Sequence, residues 1–189
     1  GTVRVGAFTS ISSQWLHDIF KEFKSRHPSI EIKLLEGDYD EVNKWVHNGM
    51  VDFGFTVLPV PKSLEFIPWS KDKMMCVLPV EHPLAKQERI LFDQLRQEPF
   101  IMPRWGGTDD VKRILNENNI SPKINYEVAA DYTIIVMIQH GLGISILPEM
   151  LLQRNSFGVC AVELEKPAYR IIGIGIKSLD TISPAAKKM

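Results

Sequence analysis

Residues 30–56 read IEIKLLEGDYDEVNKWVHNGMVDFGFT and carry two hydrophobic periods in turn. Apolar and polar residues alternate in Ile30–Leu34, which is the period of a half-buried β-strand. The next segment, from about Asp38 to Gly49, places its apolar residues at helical spacing. The run Val51–Thr56 is mostly apolar and is predicted to be a third element, a strand. The order strand–helix–strand predicts two parallel strands joined by a helix.

The residues before this unit extend the same pattern toward the N-terminus. Thr2–Phe8 alternates as a strand, and a helix with one apolar face follows it and ends just before Pro28. Ser12 or Ser13 is a suitable N-cap for that helix. The first third of the chain is therefore predicted to be a β-α-β-α-β unit with a parallel sheet.

A second run of strands and helices follows a proline-rich segment. Its predicted strands are Met74–Val80, Phe100–Met102, Ile124–Val128 and Gly143–Leu147, and its helices begin near Val111 and Tyr132. Glu81–Ala85 is predicted to be a turn into polar residues. Two more strands, Val159–Leu164 and Arg170–Ile176, precede a helix start at Ser183. Two α/β units in 189 residues predict two lobes.

The composition argues against a chain that grips nucleic acid by charge. The 22 lysines and arginines are balanced by 23 acidic residues, for a formal net charge of -1, whereas binding to phosphates needs clustered basic side chains. No N-terminal segment resembles a signal peptide, and no run of about 18 apolar residues is present. Cys76 and Cys160 lie in apolar, strand-like runs, which favours free thiols and a reducing compartment. We therefore expect a cytoplasmic protein without membrane contact.

Three places are candidates for holding a small ligand, because helix N-termini beyond the carboxyl ends of strands present free N–H groups. The strongest is the Thr9–Ser12 turn with its hydroxyls, for which N-capping alone is the alternative. Arg104–Thr108 follows another strand, and its arginine could pair with a carboxylate; an ordinary flexible turn is the alternative. Thr56 ends the third strand, and Asp131–Tyr132 begins a helix with the aspartate as its predicted N-cap. Hydroxyls and one arginine indicate a small carboxylate or another anion.

Enzyme motifs are weak in this sequence. Gly141–Ser145 resembles part of a dinucleotide-binding loop, but its glycines precede a strand, whereas that fingerprint needs them after one. A helix end followed by a tight turn explains these glycines better. The five histidines lack metal-ligand spacing, and neither cysteine has a basic neighbour in sequence to activate it. We predict no metal, no cofactor and no catalysis. The remaining alternative is an active site assembled from residues scattered along the sequence.

Taken in order, these parts resemble the effector-binding domains of LysR-type transcriptional regulators. The resemblance covers essentially the whole chain. Its main segments are Val3–Gly6 with the hydroxyl-rich turn, Leu35–Gly37, Gly49–Phe55, Val77–Ala85 and Gly141–Glu149.

That resemblance implies a periplasmic-binding-protein-like (type II) α/β fold with two lobes, each a mixed β-sheet flanked by helices. Two crossover strands would join lobe I, residues 1–72 and 173–189, to lobe II, residues 73–172, with the effector in the cleft between them. Mapped onto this sequence, the family's effector contacts fall at Thr9, Ser10, Ser12 and Thr56 in lobe I and at Met102, Arg104, Thr108 and Tyr132 in lobe II.

The resemblance also implies partners. Similar domains pair head to tail as homodimers, with the first helix of one subunit against the second-lobe helix of the other, here about Asp109–Asn118, and the full-length proteins form tetramers. A winged helix-turn-helix would precede Gly1, so DNA binding would belong to the parent protein. An effector that prefers the closed cleft would shift the population of lobe arrangements and so control transcription.

Two alternatives share this fold. One is an extracytoplasmic solute-binding protein, which a secretion signal upstream of Gly1 would mark. The other is a small enzyme, such as a deaminase or a dehydratase, which conversion of the bound compound would mark.

Overall fold

The computed structural model describes residues 1–104, 110–153 and 158–189, which form two compact units. Unit 1 contains Gly1–Lys71 and Ile171–Met189, and unit 2 contains the described residues from Asp72 to Arg170. The strands are β1 (Thr2–Ala7), β2 (Glu31–Glu36), β3 (Phe53–Val57), β4 (Glu65–Pro79), β5 (Arg89–Ile90), β6 (Pro99–Pro103), β7 (Lys123–Val128), β8 (Ser145–Pro148), β9 (Val159–Leu164) and β10 (Ala168–Ile176). The helices are α1 (Thr9–Ile11), α2 (His17–Arg26), α3 (Tyr39–His47), α4 (Phe92–Gln97), α5 (Asp110–Glu117), α6 (Asp131–Gln139) and α7 (Pro184–Lys187).

Unit 1 contains a mixed sheet in the order β2-β1-β3-β10. Strand β1 runs parallel to β2, with Ala7 opposite Glu36 at the end of the pair, and parallel to β3. Strand β10 returns antiparallel to β3. The predicted β-α-β-α-β unit is therefore confirmed. Because β1 and β2 run in the same direction, their carboxyl ends meet at one edge of the sheet, where the helix that starts at Thr9 also begins.

Helix α3 shows why this unit folds as its local sequence predicts. The Asp38 carboxylate accepts a hydrogen bond from the Glu41 N–H at 2.8 Å, and the Glu41 carboxylate accepts one from the Asp38 N–H at 3.1 Å. This capping box satisfies two N–H groups that the helix start would otherwise leave unpaired. Val42 and Val46 are buried and pack directly on Gly54 of β3, which has no side chain to separate helix and strand.

Unit 2 contains two small sheets. In one, β4 pairs antiparallel with both β8 and β9, and β5 adds parallel to β9. In the other, β6 and β7 form a parallel pair. One apolar cluster surrounds the fully buried Phe100, and a second surrounds Ile134 and Ile138 of α6. The α/β class predicted from the sequence is confirmed in both units.

Two elements were not predicted from the sequence. Strand β5 and helix α4 lie in the segment between residues 85 and 99, for which no regular structure was predicted. Phe92 and Leu95 of α4 are buried, and the Leu91 N–H donates to the Gln94 side chain at 2.9 Å where the helix starts. Two apolar residues are too few to define a period, so the sequence pattern does not reveal this short helix.

Strands β4 and β10 each belong to both units. Strand β4 passes from unit 1 to unit 2 at Lys71–Asp72, and β10 returns at Arg170–Ile171. Asp72 is the residue at which β4 enters unit 2, and Arg170 is the residue at which β10 leaves it. These two residues form a buried ion pair. Among the residues that the structure describes, none of the helices is both long and apolar enough to cross a membrane.

Candidate functional site

The hydroxyl-rich stretch that was predicted to be a turn is the start of a helix. Phe8 is the N-cap residue, and its carbonyl oxygen accepts hydrogen bonds from the N–H groups of Ile11 and Ser12, each at 3.1 Å. Ser12 therefore lies inside the helix, and the prediction of Ser12 or Ser13 as N-cap is wrong. The Phe8 ring packs edge-on against Tyr39 with centroids 4.9 Å apart. This packing fixes the position of the chain at Phe8, so the helix begins about one turn before the predicted start at Ser12 or Ser13.

Three of the predicted contact residues come together at this helix start. Thr9 is exposed, Ser10 is buried and Ser12 is half-buried. The Ser12 hydroxyl lies 3.2 Å from the Thr9 carbonyl oxygen, a local contact typical of serine in helices, and it donates to the Glu36 carboxylate at the end of β2. Glu36 brings negative charge to the helix start. This part of the site therefore suits hydrogen-bond donors on a ligand better than a bare anion.

A π-helical segment, Ser12–Leu16, connects α1 with α2. Such geometry is rare and is frequently found at functional sites. Gln14 lies in the middle of the segment and is 4% exposed, and its Oε1 atom has no hydrogen-bond partner among the described residues. The sequence prediction did not include Gln14. One sequence signal could have identified Gln14. It lies three positions after Ile11, so helical spacing places this polar residue on the same buried face as the fully buried Ile11.

Thr56 lies at the same edge of the unit 1 sheet. Gly54 of β3 pairs with Gly6 of β1, so Thr56 lies two residues beyond that pair, as Phe8 does on the other strand. The Thr56 side chain is fully buried, and its hydroxyl donates to Asn43 Oδ1 of α3 at 2.8 Å. The hydroxyl proton is thereby committed, so a ligand could use Thr56 only as an acceptor.

Replacing Asn43 by Leu is expected to lower the free energy of unfolding by about 1–3 kcal/mol, because the buried Thr56 hydroxyl then loses its acceptor. Urea unfolding followed by circular dichroism measures the loss. The double variant Asn43→Leu with Thr56→Val removes both polar groups and is expected to regain most of the stability. Equal stability of Asn43→Leu and the wild type would show that this hydrogen bond contributes nothing.

In unit 2 the predicted contacts lie at the carboxyl edge of the β6–β7 pair. Met102 of β6 is buried, whereas Arg104, two residues further on, is exposed, and its N–H donates to the Val128 carbonyl oxygen at 2.9 Å. Tyr132, in the first turn of α6, is 71% exposed. Parallel strands end at the same edge, so Arg104 and the start of α6 share one end of this sheet. Thr108, like the three residues before it, lies outside the described residues.

The start of α6 differs from the prediction by one position. Ala130 is the N-cap residue and makes no side-chain capping bond, while Asp131 is the first residue inside the helix. The prediction of Asp131 as N-cap is wrong. An aspartate in the first turn still places its negative charge at the positive end of the helix dipole. Asp131 therefore makes a favourable interaction with the helix start from a position inside the helix.

The two cysteines are poorly suited to nucleophilic chemistry. Burial raises the pKa of the Cys76 thiol far above its ordinary value, and burial also raises the pKa of Cys160. A thiol that stays protonated is a weak nucleophile. Within residues 1–104, 110–153 and 158–189, three or more His, Cys, Asp or Glu side chains nowhere come together as a metal site would need. The polar groups gathered at the unit 1 helix start are hydroxyls and a carboxylate, which bind ligands through hydrogen bonds.

A comparison with known proteins finds a family to which this chain is similar. A family model described as the LysR substrate binding domain matches residues 1–189. The uncharacterized HTH-type transcriptional regulator YvbU of Bacillus subtilis (strain 168) is 33% identical over 189 residues, which are 99% of this chain and 64% of that relative. The chain thus spans slightly less than two thirds of that regulator.

Two solved structures are similar along the whole fold. The effector-binding domain of QuiR in complex with shikimate has a TM-score of 0.89 and 22% identity, covering 100% of this chain and 92% of that one. The regulatory domain of CcmR from Synechocystis PCC6803 in complex with 2-PG has a TM-score of 0.90 and 21% identity, covering 99% of this chain and 92% of that one. At these identities the likeness establishes the fold.

Proposed function

The chain belongs to the LysR substrate-binding domain family, and from this premise we propose that it binds a small carboxylate and relays the bound state to a DNA-binding domain of a longer protein. It is the effector-binding domain of a LysR-type transcriptional regulator, and the periplasmic-binding-protein-like (type II) fold predicted from the sequence is confirmed. The observation that carries the proposal is the family match along all 189 residues.

The proposed ligand contacts fall into two groups, which we assign to the two lobes of the family fold. In this assignment unit 1 is lobe I and unit 2 is lobe II. Arg104 would pair with the ligand carboxylate, since a guanidinium matches a carboxylate in geometry and charge. QuiR was solved with shikimate, which is a hydroxylated carboxylate. The proposed contacts are Thr9, Ser10, Ser12 and Thr56 in unit 1 and Met102, Arg104, Thr108 and Tyr132 in unit 2.

A thermal-shift screen tests the proposed binding site. The screen covers amino acids, aromatic and aliphatic carboxylates, sulfate, phosphate and nucleotides. A compound at about 100 times its Kd adds about 2.7 kcal/mol of stability, which raises the Tm of a chain of this size by roughly 5–10 °C. Replacing Ser10 by Ala removes a buried hydroxyl from the proposed site, and we expect the shift to fall to a small fraction of its value.

Ser25→Ala is the matched control, because Ser25 is an exposed serine on α2 whose hydroxyl donates only locally, to the Glu22 carbonyl oxygen at 2.7 Å. It should leave the ligand-induced shift unchanged. A protein that melts cooperatively and responds to no compound class would contradict the proposed effector binding.

We propose that two copies pair head to tail, with α2 of one copy against α5 of the other. The element that follows each helix in the chain is a strand with exposed apolar side chains. These are Leu34 and Leu35 on β2 and Ile124 and Tyr126 on β7. Exposed apolar side chains on edge strands are typical of surfaces that another chain covers. The proposed dimer would bury them.

Leu35→Lys and Tyr126→Lys are each expected to raise the dimer Kd at least about tenfold, because a lysine there must lose its hydration on pairing. Sedimentation equilibrium of the domain measures this. Leu179→Lys is the control, since Leu179 is 52% exposed and lies near the C-terminus, away from β2 in the chain. Unchanged dimerisation in both test variants would place the interface elsewhere.

The proposed regulatory output is a population shift. A ligand that binds one conformation better than another changes their ratio by its differential affinity. The longer protein would act in the cytoplasm, where DNA is, and would release the compound unchanged. Small-angle scattering and the DNA-bend angle of the full-length protein should both change at saturating ligand. Constant values in both measurements, or conversion of the ligand to a product, would refute this mechanism.

A further inference from the structure

The Gln14 side chain is buried, and its amide oxygen has no hydrogen-bond donor among the described residues. Only 4% of Gln14 is exposed, and no described residue donates a hydrogen bond to its Oε1 atom. A buried acceptor without a donor loses its hydration and gains nothing in return. A leucine or methionine would occupy a similar volume without this loss. An O–H or N–H group of a ligand would supply the donor that the described residues do not.

Gln14 is placed to meet a ligand at the helix start. Helical side chains lean toward the N-terminus, so a residue covers the turn before its own Cα atom. For Gln14 that turn contains Ser10, which is four residues earlier and also buried. The π-helical geometry of Ser12–Leu16 adds a second, independent irregularity at the same place.

The groups around the helix start select a chemical class. The Ser12 hydroxyl already donates its proton to the Glu36 carboxylate. The Glu36 carboxylate and the Gln14 Oε1 atom are both hydrogen-bond acceptors. Acceptors recognise O–H and N–H donors, and a site built to hydrogen-bond a donor rejects the analogue that lacks it. A plain monocarboxylate or sulfate offers no such donor at neutral pH.

We propose that Gln14 is a ligand-binding residue that makes this domain selective for carboxylates that also carry a hydroxyl or amino group. The inference rests on the proposed function, since it assigns a role within the same effector site. The Gln14 Oε1 atom would accept the ligand's O–H or N–H hydrogen bond while the carboxylate is held elsewhere in the site.

Titration calorimetry of the whole domain with matched pairs of acids tests the assignment. The pairs are L-malate against succinate, and 3-hydroxycyclohex-1-ene-1-carboxylate against cyclohex-1-ene-1-carboxylate, and the two members of each pair differ by one hydroxyl group. For the pair that binds, the wild type is expected to hold the hydroxylated acid at least about tenfold more tightly, the effect of one buried hydrogen bond to a ligand. Gln14→Leu is expected to bring the two affinities within about twofold of each other while leaving the plain acid's affinity unchanged. The same variant should melt at a higher temperature without ligand, since it removes the unpaired acceptor.

Gln14→Met repeats the test with an unbranched side chain should the leucine variant fold poorly. Gln97→Leu, at an exposed position of α4, is the control and should change neither the preference nor the Tm. A Gln14 variant that is more stable but keeps the full preference would show that the amide holds only an ordered water, and this would overturn the inference alone. Absence of binding by both members of both pairs and by every other compound in the thermal-shift screen would refute the proposed function, and the inference with it.

Discussion

Replacing Asp72 by Ala is expected to lower the free energy of unfolding by about 3–5 kcal/mol, because the buried guanidinium of Arg170 then loses the Asp72 carboxylate. Arg170 is 2% exposed, and its Nε and one terminal nitrogen each lie 2.8 Å from Asp72 Oδ2. The other carboxylate oxygen accepts from the Met150 N–H at 3.2 Å. The Asp72 carboxylate thus ties β4 to β10 and to the turn after β8. Urea unfolding at constant pH measures the loss.

Two further variants separate charge from packing in this ion pair. The double variant Asp72→Leu with Arg170→Met removes both charges, and it is expected to recover most of the lost stability, since apolar pairs often replace buried ion pairs without net cost. Lys73→Ala is the neighbouring control. Lys73 bonds Glu163 at a half-exposed position, and this hydrogen bond holds the pKa of Glu163 below its ordinary value. Water screens that pair, so its loss should be clearly smaller. Equal losses for Asp72→Ala and Lys73→Ala would contradict the proposed difference between buried and exposed pairs.

The elements that the sequence predicts well are those whose signal is local. Helix α3 carries its apolar face, its N-cap and its capping box within one short segment, and strand β9 has the predicted bounds, Val159–Leu164. Strand β4 was predicted from Met74 but begins at Glu65. Pro68 and a row of exposed residues conceal its first half, because a proline inside a run usually argues against a strand. Its pairing with β10 is a contact between residues far apart in sequence, and no local pattern reveals it.

The candidate site was predictable in composition but not in conformation. The hydroxyls at Thr9, Ser10 and Ser12 were identified from sequence as ligand contacts and stay a prediction. Their conformation depends on the packing of Phe8 against Tyr39, which brings together two residues 31 positions apart. Glu36 reaches the helix start only because β1 and β2 end together. Arrangements of this kind arise from strand pairing between distant segments, so they cannot be predicted from the hydrophobic periodicity of one segment.

Gly173→Ala is expected to cost about 3 kcal/mol or more, at the upper end of what overpacking usually costs. Gly173 lies on β10 opposite Thr56 of β3, and a Cβ atom there would fall far inside van der Waals contact with the Ile67 carbonyl oxygen and 2.5 Å from Phe66 Cζ. A phenyl ring can rotate away, but a carbonyl oxygen moves only with its strand. The added methyl group would therefore push β4 and β10 apart, which are the two strands through which the chain passes between its units.

Denaturant unfolding of Gly173→Ala and three further variants distinguishes this cause from a general intolerance of the sheet to alanine. Gly6→Ala on β1 is the matched control, because the nearest atom to its Cβ would be Val42 Cγ1 at 3.4 Å, an ordinary contact, and we expect a change of less than about 1 kcal/mol in either direction. Phe66→Ala combined with Gly173→Ala removes the ring but not the carbonyl oxygen, so it should not restore stability. If the double variant is as stable as Phe66→Ala alone, the ring and not the backbone is what requires glycine at position 173. If it remains about 3 kcal/mol below that reference, the close approach of the two strand backbones is the cause.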